Sequence, residues 1–398
     1  MTTIETELKT NKRQLVIHDG LAFLALLAVT GLLFAVTLFL FKSFSAHRAQ
    51  IALDSGEAGR VALAQGRPAE AIADLRTALS YAPNERGYEL LLAQALGEDG
   101  RREEATNYFL NLWEQQPGDG FINLQLARLA RQRKQMADAV NYYRASIFGS
   151  WTGDGVVHRR DVRLELANYL IEEKEFGLAR TELLIAVSNA PPIPELSLAL
   201  GESLLRAGDE ADALKQDEKA FAEKPDYALA YERAGRLAYR MGDYVDARTW
   251  LEKALRESAG ALDNAADPEG DTTTLLKNSE RLLVLDPTRA ATRAERVTRT
   301  LDDRAIARKR LDACVRQAAS ANTGAQAFDS LGALAALSAR WTAASADSSR
   351  DALMRNDADL DLVRGLIGDT EDLTAQLCGA PKGDDALLLL LSHRATNY

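Results

Sequence analysis

The sequence predicts an all-α protein: a single N-terminal transmembrane helix, an α-solenoid of about six repeats, and a C-terminal helical capping region. Three observations carry this. The chain of 398 residues holds only 10 prolines and 7% aromatics, while Ala, Leu, Glu and Arg recur throughout, a helix-forming mixture. One uncharged, apolar run of 21 residues stands near the N-terminus. Beyond it, small residues return at intervals of 34 positions. The length also exceeds what one compact domain needs, which suits either several units or an elongated array.

Residues 1–19 read as a polar tail and residues 20–43 as the transmembrane helix. The apolar run from Leu21 to Phe41 is broken only by Thr30, Gly31 and Thr37. At 1.5 Å per residue it reaches roughly 30 Å, the thickness of a bilayer's hydrocarbon core. A buried core helix would show polar positions every three or four residues, and here every face is apolar. A cleaved signal peptide is the other alternative. Its apolar stretch is usually shorter, and Ser43, Ser45 and Ala46 make a weak cleavage site, so retention as an anchor is expected. Lys9, Lys12 and Arg13 before the run nearly balance Lys42, Arg48 and Arg60 after it. Because the tail is short and a long domain can translocate regardless of charge, the expectation is a single-pass protein of a bacterial inner membrane with its bulk periplasmic or exterior.

The repeats occupy residues 52–259. The first unit carries Gly59, Gly66, Ala71, Leu75, Ala78 and Pro83; the second carries Ala93, Gly100, Ala105, Phe109, Leu112 and Pro117 at matching offsets. The third, with Ala127, Ala139 and Tyr143, is followed by an insert at 149–158, after which the phase returns with Ala167, Ala179, Leu183 and Pro191. The fifth unit has Gly201, Gly208, Ala213, Ala220 and Pro225, and the sixth has Tyr231, Gly235, Gly242, Ala247 and Leu251. Small residues at two fixed offsets let the two helices of a hairpin approach closely. The mid-unit glycines sit where the first helix ends in a left-handed cap, and the prolines close the second helix.

This pattern resembles the tetratricopeptide repeat (TPR), with its aromatic, Leu-Gly, Ala, aromatic and Pro slots. The sequence departs from it in two places: the opening aromatic is present only as Tyr231, and Asp217 fills the aromatic slot of the fifth unit, which predicts looser packing there. The resemblance implies a groove lined by the first helix of each unit, holding a partner's peptide or helix. Carried over by unit, the groove residues are Arg60, Gln94, Arg128, Arg131, Asn168, Arg236 and Tyr239, with Glu202 interrupting the set. Four arginines on one face suit carboxylates or an acidic segment, unless they lie over neighbouring helices instead.

Residues 260–274 are polar and rich in turn formers, and read as a linker. Residues 275–398 read as a degenerate repeat closed by Pro287, two helices between about 290 and 320, and capping helices separated by loops at 343–349 and 379–385. The tail ALLLLLSHR is too short to span a bilayer and is expected to dock on the array. Cys314 and Cys378 cannot make a zinc site by themselves; they are either free thiols or a disulfide pair, the latter only in an oxidising compartment.

No catalytic, cofactor or metal motif stands out. His18, His47, His158 and His393 are scattered, and the string His158 to Asp161 lacks the other parts of a kinase signature. Glu103-Glu104 and Glu172-Glu173 are adjacent on helices and point about 100° apart. A net charge of -10 argues against nucleic acid as a partner. The function expected is therefore a non-enzymatic, membrane-tethered scaffold that binds protein partners, in assembly of an envelope or respiratory complex. The alternative is that the C-terminal region is a ligand-binding or enzymatic domain positioned by the repeats.

Overall fold

The computed structural model describes residues 2–258, 271–286, 291–320, 325–344 and 349–395. Among these, 18 helices and no strand are found, and one isolated bridge joins Asp119 to Ser150. The chain forms two compact units, Met1–Glu173 and Lys174–Tyr398, the boundary falling inside the predicted fourth repeat.

The N-terminal unit contains α1 (Thr2–Ala64), α2 (Pro68–Tyr81), α3 (Arg86–Glu98), α4 (Arg102–Gln115), α5 (Gly120–Gln132), α6 (Met136–Phe148) and α7 (Gly155–Glu172). The predicted tail, the apolar span and the first repeat helix are parts of one helix: α1 holds no proline and runs unbroken from Thr2 to Ala64. Its segment from Phe23 on is long and apolar enough to cross a membrane, and its large apolar side chains, Leu24, Phe34 and Phe39 among them, are exposed. Pairs α1/α2, α3/α4 and α5/α6 are antiparallel hairpins stacked in sequence, with α1 also touching α3. Their shared core is built from Ala71, Leu75, Leu92, Ala93, Leu96, Ala105, Phe109 and Leu126.

Close approach is legible at Gly59: a Cβ there would stand 2.6 Å from Leu75 Cγ, so only a bare backbone admits the neighbouring helix. The hairpin turns follow the same register. Gly66, Gly100, Gly208 and Gly242 all have positive φ, and the equivalent positions of the third and fourth repeats are filled by Lys134 (φ 58°) and Lys174 (φ 63°). The left-handed turn is thus imposed by the fold even where the side chain disfavours it.

The insert does not loop out freely. Ser150 accepts from Gly120 N–H and donates to the Gly118 carbonyl, both at 2.8 Å. Trp151 lies over Gly120 and donates to the Ser146 carbonyl at 3.0 Å, while its other side stacks on His158 at 4.6 Å.

The C-terminal unit contains α8 (Phe176–Ser188), α9 (Pro194–Arg206), α10 (Glu210–Glu223), α11 (Ala228–Met241), α12 (Tyr244–Glu257), α13 (Thr272–Leu285), α14 (Arg293–Ser320), α15 (Ala325–Ala343), α16 (Arg350–Arg355), α17 (Asp357–Cys378) and α18 (Asp384–Ala395). Asp209 and Asp243, 34 residues apart, cap α10 and α12 by accepting from the N–H three residues on. The fifth repeat is not loose: Leu204, Ala213, Asp217 and Ala220 are all fully buried. Where two helices were expected between about 290 and 320, a single 28-residue helix, α14, stands instead. Its buried positions Val297, Thr300, Asp303, Ala307, Leu311 and Cys314 recur at three or four residues without a break, and neither proline nor glycine interrupts them.

Most of the predicted linker, residues 259–270, and Pro287 lie outside the described residues; Asp271 caps α13 by accepting from Thr274 N–H at 2.6 Å. Helices α14, α15, α17 and α18 close over a core containing Leu311, Leu334, Leu337, Trp341, Val363, Leu366 and Leu388. Within it the Trp341 indole donates to Thr370 Oγ1 at 2.9 Å. The apolar tail packs as α18, whose Asp384 receives Arg281 of α13 through two hydrogen bonds and whose Arg394 donates to the Tyr239 carbonyl at the end of α11.

Candidate protein-binding face

The expected groove positions recur once per repeat on the first helices: Arg60, Gln94, Arg128 and Asn168 on α1, α3, α5 and α7 of the N-terminal unit, and Glu202 and Arg236 on α9 and α11 of the C-terminal unit. In the N-terminal unit the arginines on this face already have acidic neighbours. Arg128 on α5 donates twice to Glu165 on α7, at 2.9 and 2.7 Å, and the hydroxyl of Tyr143 on α6 donates to the same carboxylate at 2.8 Å. Arg131 reaches Glu172 at 2.6 Å and lies over the Tyr169 ring. Arg60 pairs only within its own helix turn, with Glu57. Gln94 and Asn168 are half-buried.

Burial works to raise the Glu165 pKa, but hydrogen bonds from Arg128 and Tyr143 and the charge of both arginines outweigh it and hold the carboxylate below its ordinary value. The Tyr143 hydroxyl is driven well up, by burial first and by the Glu165 charge second. This cluster is therefore a fixed anion between two cations across the α5/α7 step.

The C-terminal unit fills the same three positions with the charges of the first-helix pair reversed. Glu202 on α9 stands in the Arg128 slot, Arg233 on α11 in the Glu165 slot, and Asp217 on α10 in the Tyr143 slot. Arg233 lies 3.6 Å from Glu202 and 3.4 Å from Asp217. Glu202, the position expected to interrupt the set of cations, is thus itself paired with an arginine. Asp217 is fully buried and its pKa is pushed up to about 7 by burial, against the pull of Arg233. Further along, Arg236 pairs with buried Glu232 at 3.1 Å, and Thr272 on α13 donates to the same carboxylate. Tyr239 meets Tyr244 edge to face, ring centres 5.7 Å apart.

Sequence reasoning found the cations of this face and missed their partners. Glu165, Glu172 and Arg233 each sit on the first helix of the following repeat. The signal was available: Glu202 to Arg233 is 31 residues, and Arg128 to Glu165 is 37, the six extra being the insert's displacement of the 34-residue period.

Elsewhere, the sulfurs of Cys314 on α14 and Cys378 at the end of α17 are joined as a disulfide, with Cα atoms 5.7 Å apart. Beside it is a cleft of about 370 Å³ lined by Lys309, Arg310, Gln317, Asp384 and Asp385. Arg310 is committed to Glu371, Asp385, Thr374 Oγ1 and the Gly379 carbonyl. His158 is stacked on Trp151 and His393 meets Asp372 at 2.6 Å; the side chain of His18 lies outside the described residues.

Family models described as tetratricopeptide repeat match residues 62–119 and, in two overlapping stretches, residues 164–228 and 198–261. Comparison with curated proteins finds no match. Among solved structures, the C-terminal part of a TPR repeat-containing protein from Cytophaga hutchinsonii is 14% identical, covering 61% of this chain and 91% of that one at a TM-score of 0.43. PilF of Pseudomonas aeruginosa is 15% identical over 54% of this chain and 95% of its own, TM-score 0.38. PilW, a type IV pilus biogenesis factor, is 16% identical over 57% and 99%, TM-score 0.38.

Proposed function

Because the chain carries tetratricopeptide repeats, we propose that it is a membrane-tethered scaffold whose first-helix face binds a peptide or helix of a protein partner, in assembly of a complex of the bacterial envelope. The observation that carries this reading is the ordered polar row on that face. Arg128 is held to the following repeat by Glu165, and Glu202 is paired with Arg233 of its following repeat, which supports a surface whose charged groups are in part preorganised for a partner. The half-buried Gln94 on α3 and Asn168 on α7, one repeat before and one repeat after Arg128, supply hydrogen-bonding groups for a partner backbone.

The exposed apolar length of α1 supports a bitopic anchor in the inner membrane. Pairing of Cys314 with Cys378 supports a periplasmic bulk, since disulfides persist in oxidising compartments.

The test is site-specific photocrosslinking in intact cells, with the photoreactive residue at Gln94 or Asn168 and, for comparison, at the exposed second-helix positions Asn107 and Arg144. One partner adduct from the first pair, absent from the second and lost on reversing Arg128 and Arg131 to Glu, is the expected outcome. Adducts shared equally by all four positions would reject the face.

A further inference from the structure

The continuity of α1 fixes where the first hairpin stands relative to a membrane. Phe41 ends the apolar run and Lys42 begins the polar part of the same helix. At about 1.5 Å per residue, Arg48 is only roughly 10 Å beyond Phe41, at the outer edge of a headgroup layer. Helix α2 runs back toward that edge and ends there, because the Arg48 guanidinium donates to the Tyr81 carbonyl at 3.3 Å. Higher up, buried Ala52 and Ala78 and the Gly59 approach to Leu75 hold the two helices in this register.

The base of the hairpin has the composition of a membrane-surface contact. Phe44 is 63% exposed with Arg48 over its ring at 6.0 Å, and Tyr81 is 37% exposed. Side chains on α1 tilt toward the helix N-terminus, which is the bilayer side. Around them stand the exposed Lys42 and the half-buried Arg48; Glu85 lies on the α2–α3 turn, while Asp54 accepts from Gln50 and Asp119 takes Arg86. Aromatic rings with a basic cluster at one level suit the interface of an anionic bilayer.

We propose that the base of the first hairpin, formed by Phe44, Arg48 and Tyr81, rests on the headgroup layer of the membrane that α1 crosses and binds anionic lipid phosphates there. This rests on the membrane-anchor reading. Each basic residue so placed strengthens attraction to an anionic surface by about fivefold.

The experiment uses the full chain in phosphatidylcholine vesicles, with or without phosphatidylglycerol, both carrying a nickel-chelating headgroup lipid. Nitroxide labels are placed through Asn84→Cys on the α2–α3 turn, Gln65→Cys at the opposite end of the hairpin, and Phe34→Cys within the apolar run. Headgroup nickel is expected to relax the Asn84 label several-fold more than the Gln65 label, phosphatidylglycerol to increase the difference, and Arg48→Glu to remove that increase. Equal relaxation at 84 and 65, with the Phe34 label still reached by oxygen dissolved in the bilayer, overturns this inference and leaves the anchor standing. A Phe34 label reached instead by water-soluble nickel overturns both.

Discussion

Arg233 holds its guanidinium 3.4 Å from the carboxylate of Asp217, a side chain with no solvent exposure at all. Neither oxygen of Asp217 has a hydrogen-bond partner, and burial outweighs the attraction, so the pair is a costly feature of an otherwise apolar seam. In the equivalent slot of neighbouring repeats stand Leu183 and Leu251. Asp217→Leu is therefore expected to be neutral or to stabilise by about 1–4 kcal/mol, whereas Arg233→Met is expected to destabilise increasingly as pH rises above 7, where Asp217 is otherwise ionised beside its counter-charge. Denaturant unfolding of both variants checks the contrast; equal destabilisation by both would refute it.

Three buried carboxylates of the C-terminal unit share an upward shift. Burial raises Asp217 to about 7; burial reinforced by the Asp302 charge raises Asp303 to about 8; burial reinforced by Asp385 raises Glu371 to about 8. Each is protonated in the folded state over a range where the unfolded chain has it ionised. Their contribution is fully present below the ordinary carboxylate range and is lost as pH rises through about 7 to 8. Stability of this unit should thus fall from pH 5 to pH 8, by at most about 1.4 kcal/mol per pH unit for each group. Asp303→Asn and Glu371→Gln should each flatten the slope in unfolding curves taken across that range.

Lys134 holds the left-handed turn that glycine fills at Gly66, Gly100, Gly208 and Gly242. Lys134→Gly should stabilise the N-terminal unit by about 1 kcal/mol, because the strain of a Cβ at φ 58° exceeds the extra entropy glycine loses on folding. Gly100→Lys should do the reverse. A rise and a fall in melting temperature, respectively, are the readout.

The Cys314–Cys378 bond joins positions 64 residues apart and closes a loop containing α15, α16 and α17. Cutting it should cost the C-terminal unit about 4 kcal/mol in the chain-entropy model. Unfolding midpoints with and without reductant, alongside the Cys314→Ala and Cys378→Ala double variant, measure this. Free thiols titrating in the unreduced protein would remove the premise.

Much of the fold is legible in the sequence because the hairpin seams demand tiny side chains at set offsets, and Gly59, Ala71, Ala93 and Ala105 report that demand directly. Register hides once a repeat satisfies it with an unexpected residue. Lys134 and Lys174 carry the same turn as the glycines without glycine's signature, and Asp217 occupies an aromatic slot yet is fully buried. The candidate face was half legible for a related reason. Arg128 and Arg131 are visible along the chain, but their anions Glu165 and Glu172 lie in the next repeat, and the reversal of charge from Arg128–Glu165 to Glu202–Arg233 disguises one geometry as two. The long α14 escaped because it belongs to no repeat.

With α1 anchored as proposed, its unbroken course would turn the first repeat into the head of a lever whose fulcrum is the bilayer. From Phe41 to Ala64 the arm is roughly 35 Å, so a 10° change of tilt sweeps its tip by about 6 Å. Helices lean to match the thickness of the membrane around them. A thinner or thicker patch of lipid would therefore swing the first hairpin sideways, transmitting local membrane thickness as motion to whatever that hairpin holds.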